Sequence, residues 1–478
     1  MNNTEKIISG KKVCFLSLGC KVNAYETLQF RHAFERAGAV ITDFDEGNAD
    51  VVVINTCSVT NIADRKSRQM LHKARKLSPD AVIVAAGCYV QAVGDKVITD
   101  GDADAAAGND MKDKVLELAV QALYKKQNEE RACDTVYGED GNVRKSNERN
   151  GSSGDGSSEN GSSESEPSED RTRAFIKIQD GCNQFCTYCI IPYVRGRVRS
   201  RSEEDVLGEI ISLRDKGYKE IVLTGIHLSS YGVDNYERAS AGGFDGGPLL
   251  SLIEKAAEIE GIERIRLGSL EPRIITEAFI TALARIPKVC PHFHISLQSG
   301  SDSVLKRMNR HYDTEEYYNV CELLRRTYEL PSINTDIIVG FPGETEEEFE
   351  ETLAYARKIG FAKIHVFKYS RRKGTIADKM PGQIGEQVKN ERSARLIGAD
   401  RQNHGEYIGH FIGKTVRILT EQEGMHNGES YMMGLTERYV QVGIRQPAGL
   451  PSNTFADCLI TGIHDDGFLI GEVSGSRD

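Results

Sequence analysis

Apolar residues enter the chain in short continuous blocks separated by longer amphipathic or polar stretches. Residues 13–18 (Val-Cys-Phe-Leu-Ser-Leu), 51–54 (Val-Val-Val-Ile) and 81–85 (Ala-Val-Ile-Val-Ala) are such blocks. Their length and lack of alternation suit strands buried on both faces. Residues 24–37 space apolar side chains at helical intervals, and a polar helix runs to about Leu77. This βαβαβ rhythm predicts a doubly wound α/β domain over residues 10–126. From Thr172 the rhythm resumes. Strand candidates at 174–178, 220–224, 264–267, 292–297, 333–339 and 363–369 alternate with helices such as 203–216, 249–259, 314–327 and 344–359. Six βα units in a row predict a partial (β/α)6 barrel over residues 171–404, with its chemistry on loops after the C-terminal ends of the strands. Beyond a helix at 390–404, short β-like runs at 414–419, 437–442, 457–461 and 468–473, with turns at Asn427-Gly428 and Asp466-Gly467, predict a small all-β barrel over residues 407–475. The fold class is therefore α/β multidomain.

Between the two α/β regions the composition breaks. Residues 146–170 hold nine Ser and four Gly among 25, with almost no large apolar side chains. The segment 127–170 reads as an acidic Ser/Gly-rich disordered linker, because it has too little apolar surface to offset chain entropy. It carries 4 basic and 12 acidic residues, a net −8 within the whole-chain −11. The remaining 434 residues are thus close to neutral. That excludes a protein that coats nucleic acid by bulk charge, but not one with a local RNA site. No run approaches the ~20 apolar residues of a membrane span, and residues 1–12 are polar, so a cytoplasmic protein is expected. An odd count of 11 cysteines in a chain without a secretion signal favours metal or catalytic use over disulfides.

Only three cysteines are close together: Cys182, Cys186 and Cys189, spaced C-x3-C-x2-C directly after the first predicted barrel strand. Three thiolates on one loop suit a 4Fe-4S cluster with one iron left open; a zinc loop with a remote fourth ligand, or three cysteines together by chance, are the alternatives. With an aromatic before the last cysteine and a βα barrel behind it, the motif resembles the radical S-adenosylmethionine (SAM) superfamily. The resemblance implies that the open iron chelates SAM and that a reduced cluster cleaves it to a 5′-deoxyadenosyl radical. Later strand-end segments fit a SAM pocket in order, with Gly225, Ser269, Glu271, Ser296, Gln298 and Asp336 as candidate contacts. His227 and His294 are weaker candidates.

Cys20, Cys57 and Cys88 each lie just past one predicted strand of the first domain, on one edge of a parallel sheet. On position alone they are as readily small buried hydrophobes as ligands. Their neighbours are informative: Leu18-Gly19-Cys20-Lys21-Val22-Asn23-Ala24-Tyr25-Glu26, Ile54-Asn55-Thr56-Cys57-Ser58-Val59-Thr60 and Ala86-Gly87-Cys88-Tyr89-Val90-Gln91. Together with the triplet, these segments resemble the methylthiotransferase family of radical SAM enzymes. That resemblance implies a second 4Fe-4S cluster on Cys20, Cys57 and Cys88 whose open iron holds a sulfur species, and a C-terminal TRAM domain that binds tRNA.

The run Gly-Cys-Lys-Val-Asn-Ala-Tyr-Glu resembles the branch acting on N6-threonylcarbamoyladenosine at position 37, in the anticodon loop. The implied partners are tRNA, a sulfur donor and a reductant such as flavodoxin or ferredoxin, with no membrane and no DNA. The same chemistry on isopentenyl-adenosine or on a ribosomal-protein aspartate is the nearest rival. A non-catalytic RNA-binding iron–sulfur sensor is the rival of another class.

Two basic stretches are candidate RNA contacts. Residues 171–202 hold seven basic and one acidic residue, including Arg195, Arg197 and Arg199; residues 363–373 hold five basic and none acidic, including Arg371, Arg372 and Lys373. The presumed TRAM segment 407–473 has four basic against eight acidic residues, so its RNA role would rest on a local patch, with Tyr431 or Tyr439 for stacking. The acidic linker and the Arg-Arg-Lys run at 371–373 depart from the family pattern. Cys14, Cys133, Cys290, Cys321 and Cys458 are assigned no chemistry.

Overall fold

The computed structural model describes residues 3–134, 172–234, 247–445 and 449–473. The chain divides into two compact units: residues 1–58 with 62–169, and residues 59–61 with 170–478.

In the first unit the continuous apolar blocks become strands, as expected. β1 (Lys12–Ser17), β2 (Val40–Ile41), β3 (Val51–Thr56), β4 (Val82–Gly87) and β5 (Ala105–Ala107) form one parallel sheet in the order β2-β1-β3-β4-β5. Every residue of β3 and β4 is buried. Successive side chains alternate between two cores. Val13, Phe15, Val51, Val53, Val82 and Val84 pack with Phe30 and Phe34 on one face; Cys14, Val52, Ile54, Ile83 and Ala85 pack with Leu71 and Ala74 on the other. Helices Lys21–Arg36 and Asn61–Leu77 supply those partners, one on each face. The strand order reverses between β1 and β3, and ligands in such sheets bind at the carboxyl ends there. The helix Val115–Asp134 runs past residue 127, where the linker was expected to begin. The reason is propensity: residues 125–131 are Lys, Gln, Asn, Glu and Arg, mostly good helix formers despite their polarity. The rest of the expected linker lies outside the described residues.

In the second unit, β6 (Arg173–Asp180), β8 (Glu220–Gly225), β9 (Arg264–Leu267), β10 (His292–His294), β11 (Ser332–Val339) and β12 (Lys363–Lys368) are the six parallel strands of a partial barrel; β7 (Arg199–Ser200) pairs antiparallel with the end of β6. The sheets β7-β6-β8-β9 and β10-β11-β12 are joined by parallel bridges at Ile265–Val289 and Leu270–Ile295. Helices Thr314–Thr327 and Glu346–Ile359 begin with capping boxes, Asp313 with Glu316 and Thr345 with Glu348, which satisfy otherwise orphaned N–H groups.

The C-terminal segment is a closed barrel of β13 (Thr415–His426), β14 (Glu429–Thr436), β15 (Gln441–Arg445), β16 (Phe455–Ile463) and β17 (Leu469–Val473). It has five strands rather than the four expected. β14 was missed because its buried run includes two methionines and a glycine, which carry little strand signal. Residues 437–440, expected to open a strand, form the connection from β14 to β15. This small barrel docks on the starts of the larger barrel's strands. Arg264 donates to the carbonyls of Leu435 (3.0 Å) and Arg417 (2.7 Å). Arg266 donates to those of Thr436 (3.2 Å) and Glu437 (2.8 Å), and its Nε to Glu220 at 2.8 Å. Tyr439 lies beneath the guanidinium groups of Arg173 and Arg266 and against His292. The junction therefore lies at the strand ends opposite those where the chemistry was expected.

Candidate functional site

The triplet loop leaves β6 through a turn that requires glycine. Gly181 has φ +70°, and a Cβ there would sit 1.9 Å from the Arg197 carbonyl oxygen. Cys182 N then donates to Gly196 O at 3.1 Å, closing the loop on the residues before β7. Phe185, between the first two cysteines, is held at φ +50° with the Arg197 guanidinium 4.6 Å from its ring centroid. Strained backbone of this kind persists only where surroundings over-determine it.

Cys182, Cys186 and Cys189 line one cavity of about 150 Å³, with Ser269, Glu271, Ser296 and Gln298 from the ends of later strands. Four of the six expected SAM contacts thus stand around the thiols. Gly225 and Asp336 are not on that wall: Gly225 packs against Gln179, and Asp336 faces His294 at 3.1 Å. His227 and Gln184 join the lining. Burial raises the Glu271 carboxyl, but hydrogen bonds from His227 and Arg273 outweigh it and hold the group at about 2. Arg273 Nε donates to Glu271 Oε1 at 2.7 Å, so this anion is fixed at the cavity edge. Burial also pushes the Cys182 thiol up to about 11 and the Cys189 thiol to about 12. Without metal these sulfurs are protonated at neutral pH, and metal binding would release the protons.

In the first unit, Cys57 and Cys88 directly follow the adjacent strands β3 and β4, and Cys20 is the N-cap of the helix that follows β1. Gly19 (φ +98°) passes so close to Cys57 that a Cβ would lie 2.5 Å from its Sγ. Gly87 (φ +102°) is equally crowded, 2.6 Å from the Thr56 carbonyl oxygen. Asn23 binds the strand ends together, donating to Leu18 O (2.7 Å) and Thr56 O (3.0 Å). Ser67 Oγ donates to Cys57 O at 3.0 Å, and Asn109 Nδ2 to Cys88 Sγ at 3.6 Å. Lys112 and Glu26 form a buried ion pair within the same unit. The sheet edge therefore does bring the three cysteine loops together.

Both sets consist of three sulfur donors, the chemistry of iron–sulfur ligation. A cubane takes each thiolate on a different iron and leaves the fourth iron open, which matches the three sulfur donors of each set.

The expected RNA contacts divide. Arg197, Arg199, Arg371 and Lys373 are exposed, although Arg371 pairs with Asp378 at 2.7 Å and Arg199 lies 3.9 Å from Asp180. Arg195 and Arg372 are buried and present no charge to a phosphate. Arg195 donates to Asp180 at 3.1 Å and secures the loop after the triplet instead. Tyr431 is fully buried, and Tyr439 is taken up in the barrel junction, so neither offers a stacking face. Exposed cations also occur on helix Asn61–Leu77, where Arg65, Lys66 and Lys76 share the solvent side opposite Ser67, Leu71 and Ala74. Sequence reasoning missed that helix, because its basic residues are interleaved with apolar ones and form a stripe only when wound at 3.6 residues per turn. It also missed Asn309 and Arg310, which follow helix Asp302–Arg307, and Asn109, which opens a 3-10 helix; their approach to the cysteines depends on long-range folding.

Residues 176–356 match the model of the radical SAM superfamily, and residues 12–108 that of "Uncharacterized protein family UPF0004". The chain is 40% identical over 431 residues to the threonylcarbamoyladenosine tRNA methylthiotransferase MtaB of Bacillus subtilis, covering 90% of this chain and 89% of that one. It is 36% identical to the Aquifex aeolicus protein of the same name, over 90% of this chain and 98% of the other. It is 35% identical to the tRNA-2-methylthio-N(6)-dimethylallyladenosine synthase of Acetivibrio thermocellus, over 88% and 83%. Among solved structures, the radical SAM methyltransferase TsrM of Kitasatospora setae, with cobalamin and a [4Fe-4S] cluster bound, aligns with TM-score 0.52 at 14% identity over 77% of each chain, a likeness of fold. Among the described residues no helix is long and apolar enough to cross a membrane.

Proposed function

Because the chain belongs to the methylthiotransferase family of radical SAM enzymes, we propose that it transfers a methylthio group to C2 of N6-threonylcarbamoyladenosine at position 37 of tRNA. The observation that carries this reading is the pairing of two three-thiol sets, each at the carboxyl ends of parallel strands, in a chain 40% identical to a threonylcarbamoyladenosine methylthiotransferase over nine-tenths of its length. Cys182, Cys186 and Cys189 would hold the cluster that binds SAM; Cys20, Cys57 and Cys88 would hold the second. Bound there, these groups supply the radical and sulfur chemistry that no protein side chain performs.

The chain's own residues position and shield. Gly181 and Gly19 let the cysteine loops close. The Glu271 carboxylate, kept ionised and fixed by Arg273, suits the ammonium group of SAM, and Ser269, Ser296 and Gln298 offer neutral hydrogen bonds beside it. The target adenine sits in an anticodon loop, whose bases unstack readily. Arg197, Lys373 and the exposed cations of helix Asn61–Leu77 would neutralise phosphates, and a sulfur donor and a one-electron reductant such as flavodoxin or ferredoxin complete the system.

The test is activity of the anaerobically reconstituted full chain, with SAM, sulfide and reductant, on two tRNAs that differ only in the nucleoside at position 37. Methylthiolation of the threonylcarbamoyl form with little on the isopentenyl form supports the assignment. The reverse preference overturns the substrate, and SAM that stays uncleaved under reduction overturns the reaction.

A further inference from the structure

The segment following helix Asp302–Arg307 clasps the triplet loop at several points. Thr187 donates through its backbone N–H to Met308 O (3.0 Å) and through Oγ1 to Arg307 O (2.9 Å). Asn309, held at φ +59°, reaches the carbonyls of Gln184 (3.4 Å) and Phe185 (3.2 Å) through Nδ2. Arg310 completes the clasp, with Nη1 donating to Cys186 Sγ at 3.2 Å.

Arg310 is itself fixed. Its Nε donates to the Tyr312 hydroxyl oxygen at 3.0 Å, and its guanidinium lies 4.8 Å from the Tyr312 ring centroid. That hydroxyl donates towards the carbonyls of Ser296 (2.6 Å) and Leu297 (2.8 Å), just past the end of β10. Arg310 lines the cavity with the three cysteines, and its hydrogen-bond partners are a tyrosine and a thiol. A guanidinium does not deprotonate in proteins, so this is a permanent positive charge against one sulfur of the set.

We infer that Arg310 is a positioning residue that raises the reduction potential of the centre on Cys182, Cys186 and Cys189. This rests on the reading of that triplet as a cluster site. One-electron reduction takes a single electron from an external reductant of the flavodoxin or ferredoxin class. It moves no proton, and it makes the thiolate-bound centre one unit more negative. A fixed cation at hydrogen-bond distance from a ligand sulfur stabilises the more negative state, and an N–H···S bond withdraws charge from that sulfur in the same sense. Arg310 therefore makes the centre easier to reduce while holding the Cys186 side chain in place.

The experiment is an EPR-monitored potentiometric titration of the full-length, reconstituted protein and its Arg310→Lys, Arg310→Gln and Arg310→Met variants, following the signal that added SAM perturbs. Iron is counted on the same samples. The expected result is a midpoint moved to more negative potential in Arg310→Gln and further in Arg310→Met, with Arg310→Lys close to the parent and iron unchanged. Should Arg310→Met lose iron, the comparison of Lys with Gln decides. Equal midpoints at equal iron overturn the role of Arg310. Absence of any SAM-sensitive signal in the parent protein overturns instead the assignment of the cluster site.

Discussion

At Gly181 the backbone takes φ +70° with the Arg197 carbonyl where a side chain would be, and at Gly19 φ +98° with Cys57 in the same relation. Neither glycine supplies a donor atom, yet each lets its cysteine loop close. Gly181→Ala is expected to lower reconstituted iron from about eight to about four per chain, two cubanes reduced to one; full iron in that variant would show that the loop tolerates the shift. Glu271 gives a pH signature. Its folded value, about 2, lies below the ordinary carboxyl value of 4.5. Its stabilisation is therefore complete above that ordinary value and disappears as pH falls towards 2. That stabilisation is on the order of 3 kcal/mol. Denaturant unfolding of the metal-free chain at pH 6 and pH 3 should show a difference that shrinks in Glu271→Gln; an identical pH dependence in both would refute it. Residue-scale chemistry was legible in the sequence where it was local. The triplet is a contiguous spacing, and the three lone cysteines were recognisable by their neighbours. Arg195 and Arg372 were misjudged because a count of charges does not say which charges are buried.

At the scale of elements, the boundaries followed from pattern wherever burial is one-sided or complete. The helix at Thr314–Thr327 and the strand at Arg264–Leu267 fall on the residues expected. β2 and β5, of two and three residues, are too short for any periodicity, and β14 was hidden by its methionines. The junction between the two barrels was not legible either, since nothing in Arg264-Ile265-Arg266-Leu267 announces that both arginines turn inward. Glu220 is fully buried there with Arg266 beside it. Removing one member of such a pair strands the other, at a cost of about 3–5 kcal/mol, whereas replacing both costs less. Arg266→Met should therefore destabilise the chain by about that amount in urea unfolding, and Arg266→Met with Glu220→Gln by clearly less. Additive losses would mean that the pair does not act as a unit.

For the whole molecule, a net charge of −11 looked unhelpful to an RNA enzyme, and the structure sharpens the question. Several arginines of the expected patches are spent on internal pairs, while Arg65, Lys66 and Lys76 stand exposed on one helix of the first unit. Replacing these three with Glu should weaken tRNA binding and reduce the salt slope of log K by about 2–3, at roughly 0.7–0.9 per phosphate contact. An unchanged slope would place the RNA elsewhere. The central claim is the identity of the modified nucleoside. It is tested most directly by mass spectrometry of tRNA nucleosides from cells lacking this protein. The prediction is loss of the 2-methylthio derivative of N6-threonylcarbamoyladenosine with the unmethylthiolated precursor retained. An unchanged profile, or loss of the methylthio-isopentenyl nucleoside instead, would contradict it.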